Sequence, residues 1–369
     1  MSPQPRRSPA LPPADIRIDI AAPLLRWYDK HRRVLPWRAG PGERADPYHV
    51  WLSEIMLQQT TVATVGPYYQ AFLKRWPSLR KLAAAPQEDV LAAWAGLGYY
   101  SRARNLHACA QAVLDTYKGT FPTTEAELLK LPGIGPYTAA AIAAIAFDVP
   151  ANVVDGNVER VMSRLFCLPQ TQPQLKAAVK NVAAPLVPRR RAGDYAQALM
   201  DLGATICTPR SPKCDQCPLK SQCQALAQNM ADAYPKAAAK KPRPVRHGLA
   251  FILQAPDGTL WLRRRGSKGL FAGMLELPSS DWQDSPPHLT DALAKEPGLP
   301  AARSWKPLPA RVTHVFTHFE LQLSLYYAKT GKTRPNGLWL SAPEAKKAGL
   351  PSLMQKILAE SLPFLKAAV

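Results

Sequence analysis

Between Ala231 and Arg246 the chain changes character. This stretch, ADAYPKAAAKKPRPVR, carries five basic residues against one acidic. Its prolines interrupt hydrogen-bonded structure and its lysines stay solvated, so it reads as a basic linker over 231–246. The segments on either side follow different periodicities, and that contrast sets the fold class.

Before the linker the pattern is helical. Alanine and leucine are frequent, and breaks fall at Pro36–Gly42, Trp76–Pro77, Gly96–Gly98, Gly119–Pro122, Pro132–Gly135 and Pro185–Pro188. Apolar residues recur three and four apart in Tyr48–Val65, Ser101–Tyr117, Pro136–Phe147 and Asp194–Cys207, which predicts helices there. After the linker, His247–Gln254 and Thr259–Arg264 read as strands around an Asp257-Gly258 turn. Val312–Phe319, Leu321–Ala328 and Leu338–Leu340 read as further strands, with helices at Leu289–Lys295 and Ser352–Ser361. The expected organisation is a disordered arm over 1–14, a mainly α N-terminal domain over 15–230, the linker, and a smaller α+β domain over 247–369.

At 369 residues the chain has room for two such cores. Hydrophobic residues at 47% and charged residues at 20% exclude global disorder and a coiled coil. No apolar run reaches the roughly 18–20 residues of a membrane span, and Asp148 interrupts the longest candidate, Ala139–Val149. The proline-rich start, MSPQPRRSPALPPAD, has no apolar centre and does not read as a secretory signal, so a cytoplasmic protein is expected.

The chain has 47 basic and 27 acidic residues, a net charge of +20. Such an excess suits a polyanion, nucleic acid before membrane. It is spread through all parts: +10 over 1–230, +4 on the linker and +6 over 247–369.

Cys109 and Cys167 stand alone in apolar surroundings and read as buried thiols. The other four, Cys207, Cys214, Cys217 and Cys223, are spaced C-x6-C-x2-C-x5-C. Four thiolates in so short a span can wrap one tetrahedral zinc or one cubane iron–sulfur cluster, and the spacing alone leaves both open.

Three further segments carry chemistry. Leu131-Pro-Gly-Ile-Gly-Pro-Tyr137 is a G-x-G turn opening an alanine-rich helix. Its backbone N–H groups suit a DNA phosphate, although an ordinary inter-helix turn has the same pattern. Val154-Asp155-Gly-Asn157 places a carboxylate at a helix start, where aspartate also serves as an N-cap. Glu54 lies in the apolar stretch Trp51-Leu-Ser-Glu-Ile-Met-Leu, with no lysine or arginine three or four residues away. A carboxylate in an apolar wall has its pKa raised and can hold a proton near neutrality. Glu54 and Asp155 together are two carboxylates in unlike environments, the arrangement used to break glycosidic bonds.

Taken together, Trp51–Thr60, Gly96–Asn105, Leu131–Tyr137, Val154–Arg160 and the four cysteines resemble adenine DNA glycosylases, the MutY family of the helix-hairpin-helix superfamily. The resemblance spans about residues 15–365. It implies a monofunctional base-excision enzyme that flips out adenine mispaired with 8-oxoguanine (or guanine) in duplex DNA and hydrolyses its N-glycosidic bond. Glu54 matches the catalytic acid and Asp155 the carboxylate that stabilises the cationic sugar. Tyr137 and Asn157 match active-site residues, and a tyrosine rather than a lysine at 137 argues against strand cleavage through a Schiff base.

The same resemblance implies a [4Fe–4S] cluster on Cys207, Cys214, Cys217 and Cys223, and phosphate binding at Leu131, Gly133, Ile134 and Gly135. Arg33, Leu35, Trp37 and Gln197 match the adenine pocket, although a plain core suits Leu35 and Trp37 equally well. Gln59 and Tyr99 match residues that wedge the duplex near 8-oxoguanine. The loop Arg38–Asp46 is longer than usual for the family. The C-terminal domain resembles MutT, a Nudix fold, but Gly273-Met-Leu-Glu-Leu-Pro lacks the following R-E-x-x-E-E run. It is therefore expected to recognise and not hydrolyse, with Phe316-Thr317-His318 as the 8-oxoguanine reader. A monomer on nucleoid DNA in the bacterial cytoplasm is the expected state.

Overall fold

The computed structural model describes residues 18–237, 242–266, 269–296, 298–330 and 334–365. The arm 1–14 and linker positions 238–241 lie outside the described residues. Contacts divide the chain into two units, Met1–Arg80 with Ala108–Lys240, and Lys81–His107 with Lys241–Val369.

The helices, in chain order, are α1 (Ala21–His31), α2 (Pro47–Leu57), α3 (Val62–Arg75), α4 (Leu79–Ala83), α5 (Gln87–Ala93), α6 (Ser101–Tyr117), α7 (Glu125–Leu128), α8 (Pro136–Phe147), α9 (Gly156–Leu165), α10 (Gln174–Ala183), α11 (Ala192–Thr205), α12 (Gln224–Ala227), α13 (Leu289–Ala294), α14 (Ala342–Lys347) and α15 (Ser352–Ser361). The expected helix Tyr48–Val65 is two helices, because Gln59 adopts a left-handed backbone (φ 58) and ends α2. The apolar spacing continues through that break, so the pattern alone could not show it.

In the first unit α8 is the central helix. It is apolar on every side, buried from Thr138 to Ala144, and packs against α2 and α11. Its alanines allow close approach. A Cβ on Gly193 of α11 would lie 2.6 Å from the Ala144 carbonyl oxygen, so glycine is required at that crossing. Asp148, left-handed at the end of α8, accepts from the Arg191 and Gly193 amides and ties the start of α11 to it. A second core joins α9, α10 and α11 through Val158, Met162, Leu175, Val179, Leu199 and Leu202.

The second unit contains a six-stranded sheet: β1 (Val245–Gln254), β2 (Leu260–Arg264), β3 (Leu275–Glu276), β4 (Lys306–Val315), β5 (Glu320–Lys329) and β6 (Leu338–Leu340). Its order is β3-β2-β1-β5-β4, with β6 pairing β2. The long central pair β1–β5 is parallel, Val245 opposite Glu320 through Gln254 opposite Lys329. The β1–β2, β2–β3, β2–β6 and β4–β5 pairs are antiparallel. Phe251, Leu253, Trp261 and Trp305 form the core on one face. The expected strand Val312–Phe319 instead ends at Val315, and Phe316–Phe319 is the turn of the β4–β5 hairpin, closed by the Phe316 amide on the Phe319 carbonyl at 2.9 Å. Aromatic content there hid the turn, which has no glycine or proline to mark it. Among the described residues no helix is long and apolar enough to cross a membrane.

Candidate active site

Helix α2 carries Glu54 into the core. Asp46 caps it by accepting from the Tyr48 amide at 2.8 Å, and Pro47 occupies its first turn. Residues Val50–Met56 are all buried, so Glu54 sits in an apolar wall and is only 7% exposed. The hydroxyl of Tyr137, in the first turn of α8, donates to Glu54 Oε2 at 2.8 Å. Burial raises the Glu54 carboxyl to about 7; the Tyr137 bond opposes this, Asp155 adds to it and Arg38 offsets part of it. Burial and the nearby carboxylates hold the Tyr137 hydroxyl well above its ordinary value, so it remains the donor.

Asp155 caps α9, as its position before Gly156 suggested. Its Oδ1 accepts from the Val158 amide and its Oδ2 from Asn157 Nδ2, both at 2.7 Å. Asn157 is held in turn by Arg160 Nη2 at 2.9 Å. Arg160 also donates to the carbonyls of Gly203 and Cys207, each at 2.6 Å. A Cβ on Gly203 would lie 2.5 Å from Asn157 Cβ, so α11 presses directly on the residue that steadies Asp155.

These groups face one cavity of about 730 Å³. Glu54, Asp155, Tyr137, Asn157, Arg33, Leu35, Trp37, Gln59 and Gln197 all line it, so every first-unit residue expected to meet the base or sugar comes together there. The volume holds a nucleobase and its sugar. Trp37 is buried and edges onto Tyr69, with ring centroids 5.4 Å apart.

One lining residue and its buried partner were not among the expected site residues. Arg38 lines the cavity, and it and Arg33 share the buried carboxylate of Asp201 on α11. Burial pushes that carboxyl up, but its bonds to Arg38 and Arg33 outweigh this and hold it below its ordinary value. The one available sign was an aspartate inside the apolar run Ala198-Leu-Met-Asp-Leu.

The G-x-G turn lies between α7 and α8, with Gly133 left-handed at φ 74. The Leu131 and Ile134 amides donate inside it, to Leu128 and Leu131, and both side chains are buried. Gly135 begins α8, and nothing lies within 4 Å of where its Cβ would be. That glycine presents open backbone at a helix N-terminus.

The four cysteines are unpaired and, with Arg164 and Lys220, line one small cavity. Burial raises Cys214, Cys217 and Cys223, Cys217 to about 12, and the neighbouring sulfurs add to it. Thiols raised in this way stay protonated without a metal, and binding one would displace their protons. Arg164 donates to Cys207 Sγ at 3.3 Å. Among the described residues no three His, Cys, Asp or Glu side chains are placed to hold a metal ion. Four thiols around one cavity are the donor set of a cubane, which takes one thiolate per iron.

In the second unit, Tyr99, Phe316 and Thr317 line a cavity of about 240 Å³ with Phe271 and His314. Tyr99 is left-handed (φ 47) and 47% exposed, and its hydroxyl is hydrogen-bonded to that of Thr317. Phe316 is wedged among His314, Phe319 and Trp282, at 4.6, 4.7 and 5.5 Å between centroids. His318 is exposed on the same turn and is not among that cavity's lining residues. Glu276, the glutamate of the MutT-like segment, is buried against Arg263 and Arg265 at 2.9 and 2.6 Å, and no helix follows it until α13.

Comparison with known proteins agrees with this architecture. The family model described as HhH-GPD superfamily base excision DNA repair protein matches residues 52–185. The iron-sulfur binding domain of endonuclease III matches 207–223, and the NUDIX domain matches 249–360. Fold and site thus define a helix-hairpin-helix base-excision repair protein with an iron–sulfur cluster and a Nudix-type second unit.

The adenine DNA glycosylases of rat and human are each 35% identical, covering 90% of this chain and 76% and 72% of theirs. That of Buchnera aphidicola from Acyrthosiphon pisum is 31% identical over 91% of this chain and 95% of its own. The chain belongs to the adenine DNA glycosylase family, enzymes that hydrolyse N-glycosyl bonds in DNA.

Proposed function

We propose that the substrate is adenine paired with 8-oxoguanine, or with guanine, in duplex DNA, and that the base is flipped from the stack into the Glu54 cavity and removed by hydrolysis alone. The observation that carries this reading is the Glu54 carboxyl, held near neutral pH as an acid in the cavity that Asp155 also lines.

Tyr137 donates to Oε2, which leaves Oε1 available to carry the acid proton of Glu54. Passing it to adenine N7 makes the base a neutral leaving group. The C1′–N9 bond breaks and the sugar becomes oxocarbenium-like. Asp155, steadied by Asn157, supplies the negative charge that stabilises it. Water then adds to C1′ as its proton returns to Glu54. Arg33, Leu35, Trp37 and Gln197 enclose the base, and Gln59 fills the stack it leaves.

Gly133 and Gly135 hold a backbone phosphate, with Leu131 and Ile134 shaping the turn. Cys207, Cys214, Cys217 and Cys223 would hold the cluster, which would cross-link the irregular segment 207–223 that follows α11. Tyr99, Thr317 and His318 read 8-oxoguanine, with Phe316 as the packed base of the turn. The enzyme acts as a monomer on cytoplasmic nucleoid DNA, which sedimentation with and without duplex tests.

Single-turnover assays on A:8-oxoguanine, A:G and A:T duplexes test the substrate. Fast release from the first, slower from the second and none from A:T is expected; equal release from all three overturns it. Lys176 also lines the cavity. Borohydride trapping tests whether it forms a Schiff base with the sugar, and no covalent enzyme–DNA product is expected if hydrolysis is the sole route.

A further inference from the structure

We propose that Asp201 is a positioning residue that fixes the adenine-facing wall of the cavity by clamping both ends of the Arg33–Arg38 strip. This inference rests on the reading of that cavity as the adenine site.

The strip Arg33–Arg38 has no helix or strand to hold its shape, and Val34 within it is 95% exposed. Asp201 is completely buried on α11, one turn beyond Gln197 of the cavity lining. Each of its oxygens accepts two bonds. Oδ1 takes Arg33 Nε at 2.5 Å and Arg38 Nη2 at 2.9 Å. Oδ2 takes the Arg33 amide at 3.1 Å and Arg38 Nη1 at 2.6 Å. Arg38 Nη1 also reaches the Arg33 carbonyl at 3.3 Å. The loop is thereby closed into a ring, and Leu35 and Trp37, the strip's two apolar residues that line the cavity, lie between its closed ends.

Arg38 is bound edge-on through two parallel bonds, a geometry that fixes the plane of the guanidinium as well as its distance. Neither Asp201 oxygen has capacity left for substrate, so Asp201 acts only through the strip. Loosening a wall of this kind shifts the base relative to Glu54, and a displacement of about 1 Å can cost about a hundredfold in rate.

The test uses the full-length holoenzyme and Asp201→Asn, which keeps the shape and removes the charge. Excision is measured at single turnover on duplexes carrying adenine or unsubstituted purine opposite 8-oxoguanine. Affinity is measured with an uncleavable adenosine analogue. The expected result is adenine excision slower by roughly thirtyfold or more, preference for adenine over purine reduced about tenfold, and duplex affinity changed by less than about threefold. Unchanged rate and preference overturn the proposal. So does an equal loss on both bases, which marks a general folding defect.

Arg38→Lys carries the test if Asp201→Asn does not fold. It removes the parallel pair but keeps a cation. A several-fold fall in base preference supports the clamp, and an unchanged preference refutes it. Failure of the wild-type enzyme to release adenine from A:8-oxoguanine strikes the substrate reading instead, and is seen before any variant is made.

Discussion

Glu54 and Glu276 are both buried on ordered elements, 7% and 1% exposed, one in each unit. Their partners differ. Glu276 is enclosed by two guanidinium groups, and its oxygens are taken up by Arg263 and Arg265. Glu54 meets a neutral tyrosine hydroxyl, a carboxylate across the cavity, and no direct cation. Burial alone therefore does not make an acid. The partner's charge decides whether a buried carboxyl becomes a structural anion or a proton carrier.

Glu54→Gln should show the largest effect. Adenine release should fall by about a thousandfold or more, the loss of a general acid, while affinity for the mispaired duplex stays. Near-wild-type release would remove Glu54 from the mechanism and break the comparison. Glu276→Gln should do the reverse. It leaves two arginines beside a neutral side chain and should cost the folded protein roughly 3 kcal/mol, read by thermal or urea unfolding. A stable variant would show that those pairs are not structural.

A third expectation concerns stability against pH. The folded Glu54 holds its proton up to about 7, above the 4.5 of an unperturbed glutamate. The contribution of Glu54 to stability is then fully present below about 4.5 and is lost as pH rises through 7. Glu54→Gln lacks this decline. Its stability relative to wild type should rise across that window by about 3 kcal/mol. A constant difference from pH 4 to pH 8 would contradict the raised value. Tyr137→Phe should have the smallest effect. The Tyr137 bond lowers the Glu54 pKa, so its removal should move the alkaline limb of the excision profile to higher pH. A shift to lower pH would reverse the assigned role.

The same contrast shows what a sequence makes legible. The apolar neighbours of Glu54 lie within one helical turn, so local pattern was enough to expect a desolvated carboxyl. The helices Ser101–Tyr117 and Pro136–Phe147 keep their expected ends, with Gly119 just past the first and Gly135-Pro136 opening the second. The Asp201 clamp joins residues more than 160 positions apart, and no local pattern encodes it. Strand β4 was read too short at its start. Pro307 and Pro309 discouraged a strand, but the β4–β5 register shift between Pro307 and Arg311 accommodates them. The grouping of 81–107 with the second unit had no trace in composition. The left-handed Gln59 and Tyr99 are not glycines, so the bends they make were invisible as well.

Gly203 has a consequence for how this chain tolerates change. With only 2.5 Å between a future Cβ and Asn157, the position has no room for alanine, the smallest replacement. In a library of all single substitutions screened for adenine release, glycine alone should survive at 203. A codon that contributes no side chain to the cavity would then rank with Glu54 among the least replaceable in the gene.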